Sequence, residues 1–145
     1  MRIGVPKEIV SGERRVALSP ESCKKLVKLG AEIVIESGAG EASYFSDEEF
    51  RAAGVRIECN AAAVFGADFV LKVQPPVAHP TLGRHEAELL KSGGVFLTTL
   101  YPTRNTEAVK KLMSQRVTAF AADCFPRTTR AQTMDVLSSM ANIGG

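Results

Sequence analysis

The sequence contains few cysteines, few histidines and no long apolar run. Cys23, Cys59 and Cys124 are its only cysteines; they lie far apart, and no two of them form a Cys-x-x-Cys pair. This pattern favours reduced thiols in a cytosolic protein and argues against a metal site. No stretch approaches the roughly eighteen apolar residues that a membrane-spanning helix needs. Charged residues follow Met1 almost at once, so we expect no secretory signal peptide.

A strong charge of either sign is also absent. The 18 Lys and Arg residues nearly balance the 16 Asp and Glu residues, which leaves a net charge of +2. Basic pairs are short and scattered along the chain, at Arg14-Arg15, Lys24-Lys25 and Lys110-Lys111. We therefore expect no nucleic-acid partner and no binding to an acidic membrane surface. The 145 residues, 45% hydrophobic and 23% charged, have the size and composition of one globular domain.

Short apolar segments alternate with amphipathic ones along the chain. The apolar segments predict strands at 2–5, 31–36, 55–57, 68–73, 94–98 and 117–121. The intervening segments predict helices that begin at Ser19-Pro20 and at the capping box Ser46-Asp-Glu-Glu49, and helices over 60–65, 85–91, 105–115 and from 130 onward. This alternation is typical of βαβ units with right-handed crossovers. The predicted fold class is α/β, with five or six strands in one doubly wound, mostly parallel sheet of the Rossmann-like or flavodoxin-like kind.

A glycine-rich segment, Gly38-Ala-Gly40-Glu-Ala-Ser43, follows the second predicted strand and carries half of a dinucleotide-binding fingerprint. A full fingerprint also needs a third small residue at the correct spacing and a helix that opens at once, so that the helix N-terminus faces a pyrophosphate. Here Tyr44 and Phe45 separate the segment from the next helix start. We interpret it as a turn, and the sequence offers no convincing dinucleotide cradle.

Two cations adjoin predicted strand ends. Arg15 lies in the charged loop after the first strand, where its guanidinium can clamp a carboxylate in bidentate fashion. The alternative is a surface ion network with neighbouring glutamates. Lys72 lies near the end of an apolar strand, where it either points into a ligand cleft or extends from a strand edge to water. The two histidines, His79 and His85, have no carboxylate at a spacing typical of a proton relay, and we expect both at the surface.

Polar side chains crowd the last predicted transition from strand to helix. Four of them combine charge, amide and hydroxyl groups: Arg127, Gln132, Asp135 and Ser138. An arginine suits a phosphate, and an Asp or Gln suits ribose hydroxyls or a carboxamide. Open α/β sheets bind ligands at such carboxyl ends of strands. The alternative is an ordinary helix start that has Thr128 or Thr129 as its cap.

Several segments of the chain resemble the family of alanine dehydrogenases and nicotinamide nucleotide transhydrogenase alpha subunits. They are GVPKEIVSGERRVALSP, ESGAGEASYFSDEEFRAAG and LKVQPP, and the closing PRTTRAQTMDVLSSMANIGG is similar to the transhydrogenase branch. The resemblance implies that residues 1–145 form the N-terminal α/β subdomain of the NAD(H)-binding component. It also implies that a second, Rossmann-type subdomain, absent from this chain, follows in the whole protein, with the nucleotide in the cleft between the two.

The resemblance further implies roles for single residues. The four C-terminal polar residues are expected to contact the nicotinamide, ribose and phosphate parts of NAD(H). Arg15 and Lys72 match positions that hold the keto acid in alanine dehydrogenases. That branch also carries a catalytic histidine just after the strand at 94–98, where this chain has Tyr101. The departure favours a transhydrogenase, which passes hydride directly between two nicotinamides and needs no acid or base to do so.

The leading hypothesis is a component of a Re/Si-specific, proton-translocating NAD(P) transhydrogenase. It would position NAD for hydride transfer to or from NADP on a partner component. The predicted partners are a second copy in a homodimer, together with NADP-binding and membrane-spanning components, on the cytoplasmic or matrix side of the membrane. The fragment alone is expected to be inactive. Two alternatives stay open: an alanine dehydrogenase-like amino-acid or keto-acid oxidoreductase, and a non-catalytic dimerisation or scaffold domain.

Overall fold

Six β-strands and six α-helices alternate along residues 1–144, the part of the chain that the computed structural model describes. The strands are β1 Arg2–Val5, β2 Glu32–Glu36, β3 Arg56–Glu58, β4 Phe69–Leu71, β5 Val95–Thr98 and β6 Thr118–Ala121. The helices are α1 Pro20–Lys28, α2 Asp47–Ala52, α3 Ala61–Phe65, α4 Glu86–Leu89, α5 Thr106–Ser114 and α6 Val136–Gly144. Short 3-10 turns lie at Glu41–Ser43, Ala122–Cys124 and Gln132–Met134. None of these helices has the length and apolar character needed to cross a lipid bilayer.

The six strands form one sheet in the order β3-β2-β1-β4-β5-β6, and every neighbouring pair is parallel. The predicted α/β fold class is confirmed, and the sheet is parallel throughout. This strand order is that of the Rossmann fold and differs from the flavodoxin-like order. The chain reverses its direction of travel across the sheet between β1 and β4. In such sheets the carboxyl ends of the two strands at the reversal leave a crevice in which ligands bind.

Helices cover both faces of the sheet because apolar side chains alternate along its strands. In β4, Val70 is fully buried in a core that includes Leu112 of α5. The next residue, Leu71, packs on the opposite face, in a core that includes Phe50 of α2. Strands buried on both faces in this way read as continuous apolar runs, which is how 69–71 appears in the sequence.

The predicted helix starts are hydrogen-bonded as caps. The Ser19 hydroxyl accepts from the backbone N–H of Ser22 at 3.2 Å, ahead of Pro20. The Ser46 hydroxyl accepts from the Glu49 N–H at 3.3 Å, while the Glu49 carboxylate accepts from the Ser46 N–H at 2.7 Å. This reciprocal pair is the predicted capping box, and it satisfies two N–H groups that the helix itself cannot.

The glycine-rich segment is a packed turn, as interpreted from the sequence. It leads into the 3-10 turn Glu41–Ser43, and Gly40 lies directly against aromatic residues. A Cβ atom on Gly40 would lie 2.6 Å from Cε2 of Phe50 and 2.8 Å from the carbonyl oxygen of Phe45. Glycine is therefore needed at this position for the close approach of the chain to itself, which leaves no role for the segment as a phosphate cradle.

Candidate functional site

A cavity of about 400 Å³ opens at the carboxyl ends of β4 and β5, beside the reversal in strand order. We call it the switch-point cavity. Its lining comes from the loop after β1, the ends of β4 and β5, the turn after β6 and helix α6: Arg15, Val16, Ala17, Leu18, Leu71, Lys72, Val73, Leu97, Thr98, Thr99, Ala122, Val136, Ser139 and Met140. The wall is mostly apolar, and it carries two cations, both of which the sequence singled out.

Arg15 reaches this cavity from an ion pair with Glu13. The Arg15 Nε and NH2 groups donate to the two carboxylate oxygens of Glu13 at 2.8 and 2.6 Å. Gln74, after β4, donates to the same carboxylate at 2.6 Å. The hydrogen bonds from Arg15 lower the pKa of Glu13 to about 2. The predicted bidentate clamp is therefore present, but it holds a glutamate of the chain itself, as the ion-network alternative has it.

Lys72 contributes to the cavity wall, yet its ammonium group is buried on the other side of that wall. Its Nζ donates to both carboxylate oxygens of Glu86 at 2.8 and 2.9 Å, and a Glu8 oxygen lies 3.4 Å away. The Lys72 and Glu86 side chains have no exposed surface, and the Glu8 side chain is 4% exposed. The expectation of a lysine extending from a strand edge to water is therefore wrong, because β4 lies in the middle of the sheet between β1 and β5.

Sequence reasoning missed both carboxylates that hold Lys72. Glu8 follows β1, and it also accepts from the backbone N–H of Val73 at 2.6 Å. Burial raises the pKa of Glu8, and the charge of Lys72 opposes that rise. Glu86 begins α4, fourteen residues after Lys72, and also accepts from the Val77 N–H at 2.9 Å. No local pattern distinguishes Glu86 from Glu88 two residues later, so the sequence carried no signal for this pairing.

The C-terminal polar residues come together around a second cavity of about 340 Å³, which we call the C-terminal cavity. It is lined by Arg127, Thr128, Thr129, Gln132, Asp135 and Ser138, which include all four of the residues predicted from the sequence. The side chain of Arg127 is 71% exposed, and its Nε lies 3.9 Å from a carboxylate oxygen of Asp135. The cavity thus offers a free guanidinium, an exposed amide and an exposed hydroxyl to a ligand.

Asp135 is the cap of helix α6. One of its oxygens accepts from the backbone N–H groups of Leu137 and Ser138, each at 3.1 Å. The other accepts from the Ser138 hydroxyl at 2.6 Å, and these bonds lower the pKa of Asp135, the hydroxyl most of all. The expectation of Thr128 or Thr129 as the cap is therefore wrong, because a 3-10 turn at Gln132–Met134 separates both threonines from the helix.

The two cavities lie on different sides of helix α6. Val136, Ser139 and Met140 line the switch-point cavity, whereas Asp135 and Ser138 line the C-terminal cavity. Positions three and four apart on a helix share a face, which explains this division. The sequence placed Arg15 and Lys72 apart from the C-terminal residues, and the structure gives each set a cavity of its own.

The histidines depart from the sequence expectation. His79 is buried, because the loop before α4 folds back on itself: its backbone N–H donates to the Arg84 carbonyl at 2.8 Å, and Ala78 pairs with His85. His85 is half-buried and caps α4, where its Nδ1 accepts from the Ala87 N–H at 3.2 Å. Burial lowers the pKa of His85. Neither histidine lines either cavity.

Tyr101, which follows β5, has a left-handed backbone with φ +45°. Such a conformation is strained for an aromatic residue and persists only when its surroundings hold it. The Asp123 carboxylate holds it by accepting from the backbone N–H groups of Leu100 and Tyr101 at 2.7 and 3.1 Å. The side-chain amide of Asn105 donates to the Leu100 carbonyl at 2.8 Å. The end of β5 is therefore a fixed turn.

The donor set fits only part of a dinucleotide. The C-terminal cavity has groups that suit a phosphate, a ribose or a carboxamide, whereas the loop after β1 presents the carboxylates of Glu8 and Glu13 where a Rossmann domain presents a glycine cradle. Within residues 1–144, no three His, Cys, Asp or Glu side chains are grouped so that they could hold a metal ion.

Comparisons with known proteins agree with this geometry. A family model described as the N-terminal domain of alanine dehydrogenase/PNT matches residues 4–144. Over its whole length the chain is 47% identical to the NAD(P) transhydrogenase subunit alpha of Cereibacter sphaeroides, of which it covers 27%. A solved transhydrogenase structure from Sinorhizobium meliloti superposes with a TM-score of 0.88 at 41% identity, over 99% of this chain and 41% of the other.

A solved L-alanine dehydrogenase structure superposes with a TM-score of 0.77 at 34% identity, over 85% of this chain and 32% of the other. The chain thus spans less than half the length of each of these proteins. The predicted family is confirmed by the match over nearly all of the sequence. The chain belongs to the alanine dehydrogenase/PNT N-terminal domain family.

Proposed function

We propose that this domain positions NAD(H) for direct hydride transfer to NADP+ on a partner component of a proton-translocating transhydrogenase. The observation that carries the proposal is the pairing of a C-terminal cavity with free polar groups and a neighbouring cavity without a free proton carrier. Lys72, the titratable group there that could move a proton, is bound to two carboxylates. The names of the relatives with the highest identity, NAD(P) transhydrogenase subunits alpha, support the same assignment.

Hydride transfer between two nicotinamides asks for positioning more than for acid–base chemistry. The nicotinamide ring supplies the hydride, so the protein contributes orientation and exclusion of water. The exposed Arg127 guanidinium suits a phosphate, and Gln132 suits a carboxamide or a ribose hydroxyl. Asp135 is fixed by three hydrogen bonds, and a ribose hydroxyl can donate to its carboxylate. A fixed acceptor of this kind orients a ligand at little entropic cost.

The remainder of the assignment extends beyond these residues. Because the loop after β1 lacks a glycine cradle, we propose that a second, Rossmann-type subdomain supplies the pyrophosphate site, and that this domain alone does not catalyse transfer. The name "subunit alpha" of the relatives supports NADP-binding and membrane-spanning partner components. Homodimer formation, Re/Si specificity and a place on the cytoplasmic or matrix side of the membrane stay predictions from the family resemblance.

An alanine dehydrogenase-like activity is the second candidate, because a solved L-alanine dehydrogenase superposes on most of the chain and Arg15 lines the switch-point cavity. Two observations count against it. Tyr101 occupies the turn where that branch is expected to carry a catalytic histidine, and the Lys72 ammonium is not exposed to the cavity. A non-catalytic scaffold is the third reading, and it predicts no effect of the C-terminal residues on turnover.

Stopped-flow absorbance separates these candidates. We expect the full-length protein, mixed with its NADP-binding partner, to transfer hydride rapidly from NADH to an NADP+ analogue whose reduced form absorbs at a distinct wavelength. Pyruvate with ammonia should leave NADH unoxidised. Oxidation of NADH by pyruvate and ammonia would instead support the dehydrogenase, and absence of both reactions would support the scaffold.

A further inference from the structure

We infer that Glu86 is a specificity-determining residue, which keeps the Lys72 ammonium out of the switch-point cavity and so prevents that cavity from binding small carboxylates. The inference deepens the proposed function, on which it rests for its purpose: a hydride carrier should not also bind oxidisable or reducible acids beside its cofactor. The physical argument concerns only the charges around the cavity and does not depend on the cofactor.

The cavity has the makings of an anion site. Its wall includes Arg15 and Lys72, its volume of about 400 Å³ exceeds what a small acid needs, and the rest of the lining is largely apolar. Two cations in a partly apolar setting would attract a small carboxylate strongly, because the local dielectric is below that of water. Without further groups, this site would be expected to bind acids of the size of pyruvate.

Three carboxylates of the chain already satisfy these cations. Glu13 takes the bidentate face of the Arg15 guanidinium, at 2.6 and 2.8 Å. Glu86 takes Lys72 at 2.8 and 2.9 Å, and Glu8 approaches the same ammonium at 3.4 Å. Two positive charges thus face three carboxyl groups, and an incoming acid would meet no unpaired cation.

Glu86 is the carboxylate that decides where the lysine points. Its side chain is fully buried, and it is fixed from a second direction by the Val77 N–H at 2.9 Å, so the pair is anchored to the loop before α4. Lys72 has a long flexible stem and one end in the cavity wall. Replacing Glu86 by glutamine keeps an oxygen for Val77 and removes the charge, which frees the ammonium to turn into the cavity.

The test is a titration of the ¹⁵N-labelled chain with pyruvate, followed by amide chemical shifts. In the wild type we expect no saturable shift at millimolar pyruvate. In Glu86→Gln we expect saturable shifts around 15–18, 71–73 and 97–99, with binding tighter by about tenfold or more. Pyruvamide, which lacks the carboxylate, should not bind, and Lys72→Met in the Glu86→Gln background should abolish the gain.

Glu88→Gln is the matched control, because it removes the same charge from the same helix at an ion pair with Lys111, away from the cavity. It should behave like the wild type. If Glu86→Gln unfolds, pyruvate should refold it and pyruvamide should not, since a ligand that binds only the folded state stabilises it. Pyruvate binding by the wild type, a folded Glu86→Gln that gains none, or an unfolded one that pyruvate fails to rescue would each overturn the inference. None of these results bears on hydride transfer, so the proposed function stands or falls separately.

Discussion

Replacing Lys72 by methionine should destabilise the domain strongly, because it leaves buried carboxylates without their cation. Glu86 is fully buried and Glu8 is 4% exposed, so neither can recover its hydration in the folded state. Removal of one partner from a buried ion pair costs about 3–5 kcal/mol. With a urea m value of about 1–3 kcal/mol per molar, the unfolding midpoint should fall by at least about 1 M.

The same variant should show a characteristic pH dependence. In the wild type, burial raises the pKa of Glu8 above its ordinary 4.5 and Lys72 opposes the rise. Without Lys72, the pKa of Glu8 in the folded state rises further, so the folded state binds a proton that the unfolded state does not. The stability of Lys72→Met should therefore increase as the pH falls from neutral towards 4.5, and its deficit relative to the wild type should shrink.

Urea unfolding followed by circular dichroism, at neutral and mildly acidic pH, measures both effects. Lys91→Met is the matched control: its ion pair with Asp68 has a similar distance, 2.6 Å, but the two side chains are 55% and 45% exposed. It should cost no more than about 1 kcal/mol. Lys72→Met combined with Glu86→Gln should lose less than Lys72→Met alone. Equal, pH-independent losses in Lys72→Met and Lys91→Met would refute the reasoning.

Two further predictions concern stability. Glu13→Gln should lower the free energy of unfolding at neutral pH by about 1–2 kcal/mol, a figure reduced for the half-exposed Arg15. Because the folded-state pKa of Glu13 is about 2, the deficit should vanish as the pH falls from 4.5 through that value; a deficit that persists there in urea titrations would contradict the ion-pair explanation. Gly4→Ala should cost about 1–3 kcal/mol, because its Cβ would clash with the Val64 carbonyl oxygen and lie 2.9 Å from Ala67 Cβ. Gly66→Ala, whose Cβ would meet only ordinary contacts from 3.5 Å, is the control, and equal unfolding midpoints would show that β1 and α3 can separate freely.

The fold was predictable because its signals are local. Ser19 with Pro20, and Ser46 with Glu49, mark helix starts within a few residues, and the alternation of strand and helix then implies a parallel sheet. The strand order was not predictable at the same level. Both doubly wound orders satisfy the same alternation, and only long-range packing of the strands, such as Gly4 between Val34 and Val70, distinguishes them.

The candidate site was predictable in its residue types and less so in its contacts. The C-terminal cluster is contiguous in sequence, so its members were expected to meet, but the 3-10 turn that makes Asp135 the helix cap has no strong local signature. Lys72 was recognised as unusual, whereas its partner Glu86 depends on how the intervening loop folds. The same loop buries His79, which the sequence placed at the surface.

The central claim is that the C-terminal cavity positions the nicotinamide cofactor, and Asp135→Asn tests it most directly. Asparagine retains the helix cap and removes the charge, so folding should be preserved. Single-turnover hydride transfer from NADH to an NADP+ analogue, in the full-length protein with its partner, should slow by about tenfold or more, as expected for a lost hydrogen bond to a charged group. Asp47→Asn, which alters an equally local acceptor of the Ser37 hydroxyl and Gly38 N–H, should transfer at the wild-type rate. An unchanged rate in Asp135→Asn would contradict the account.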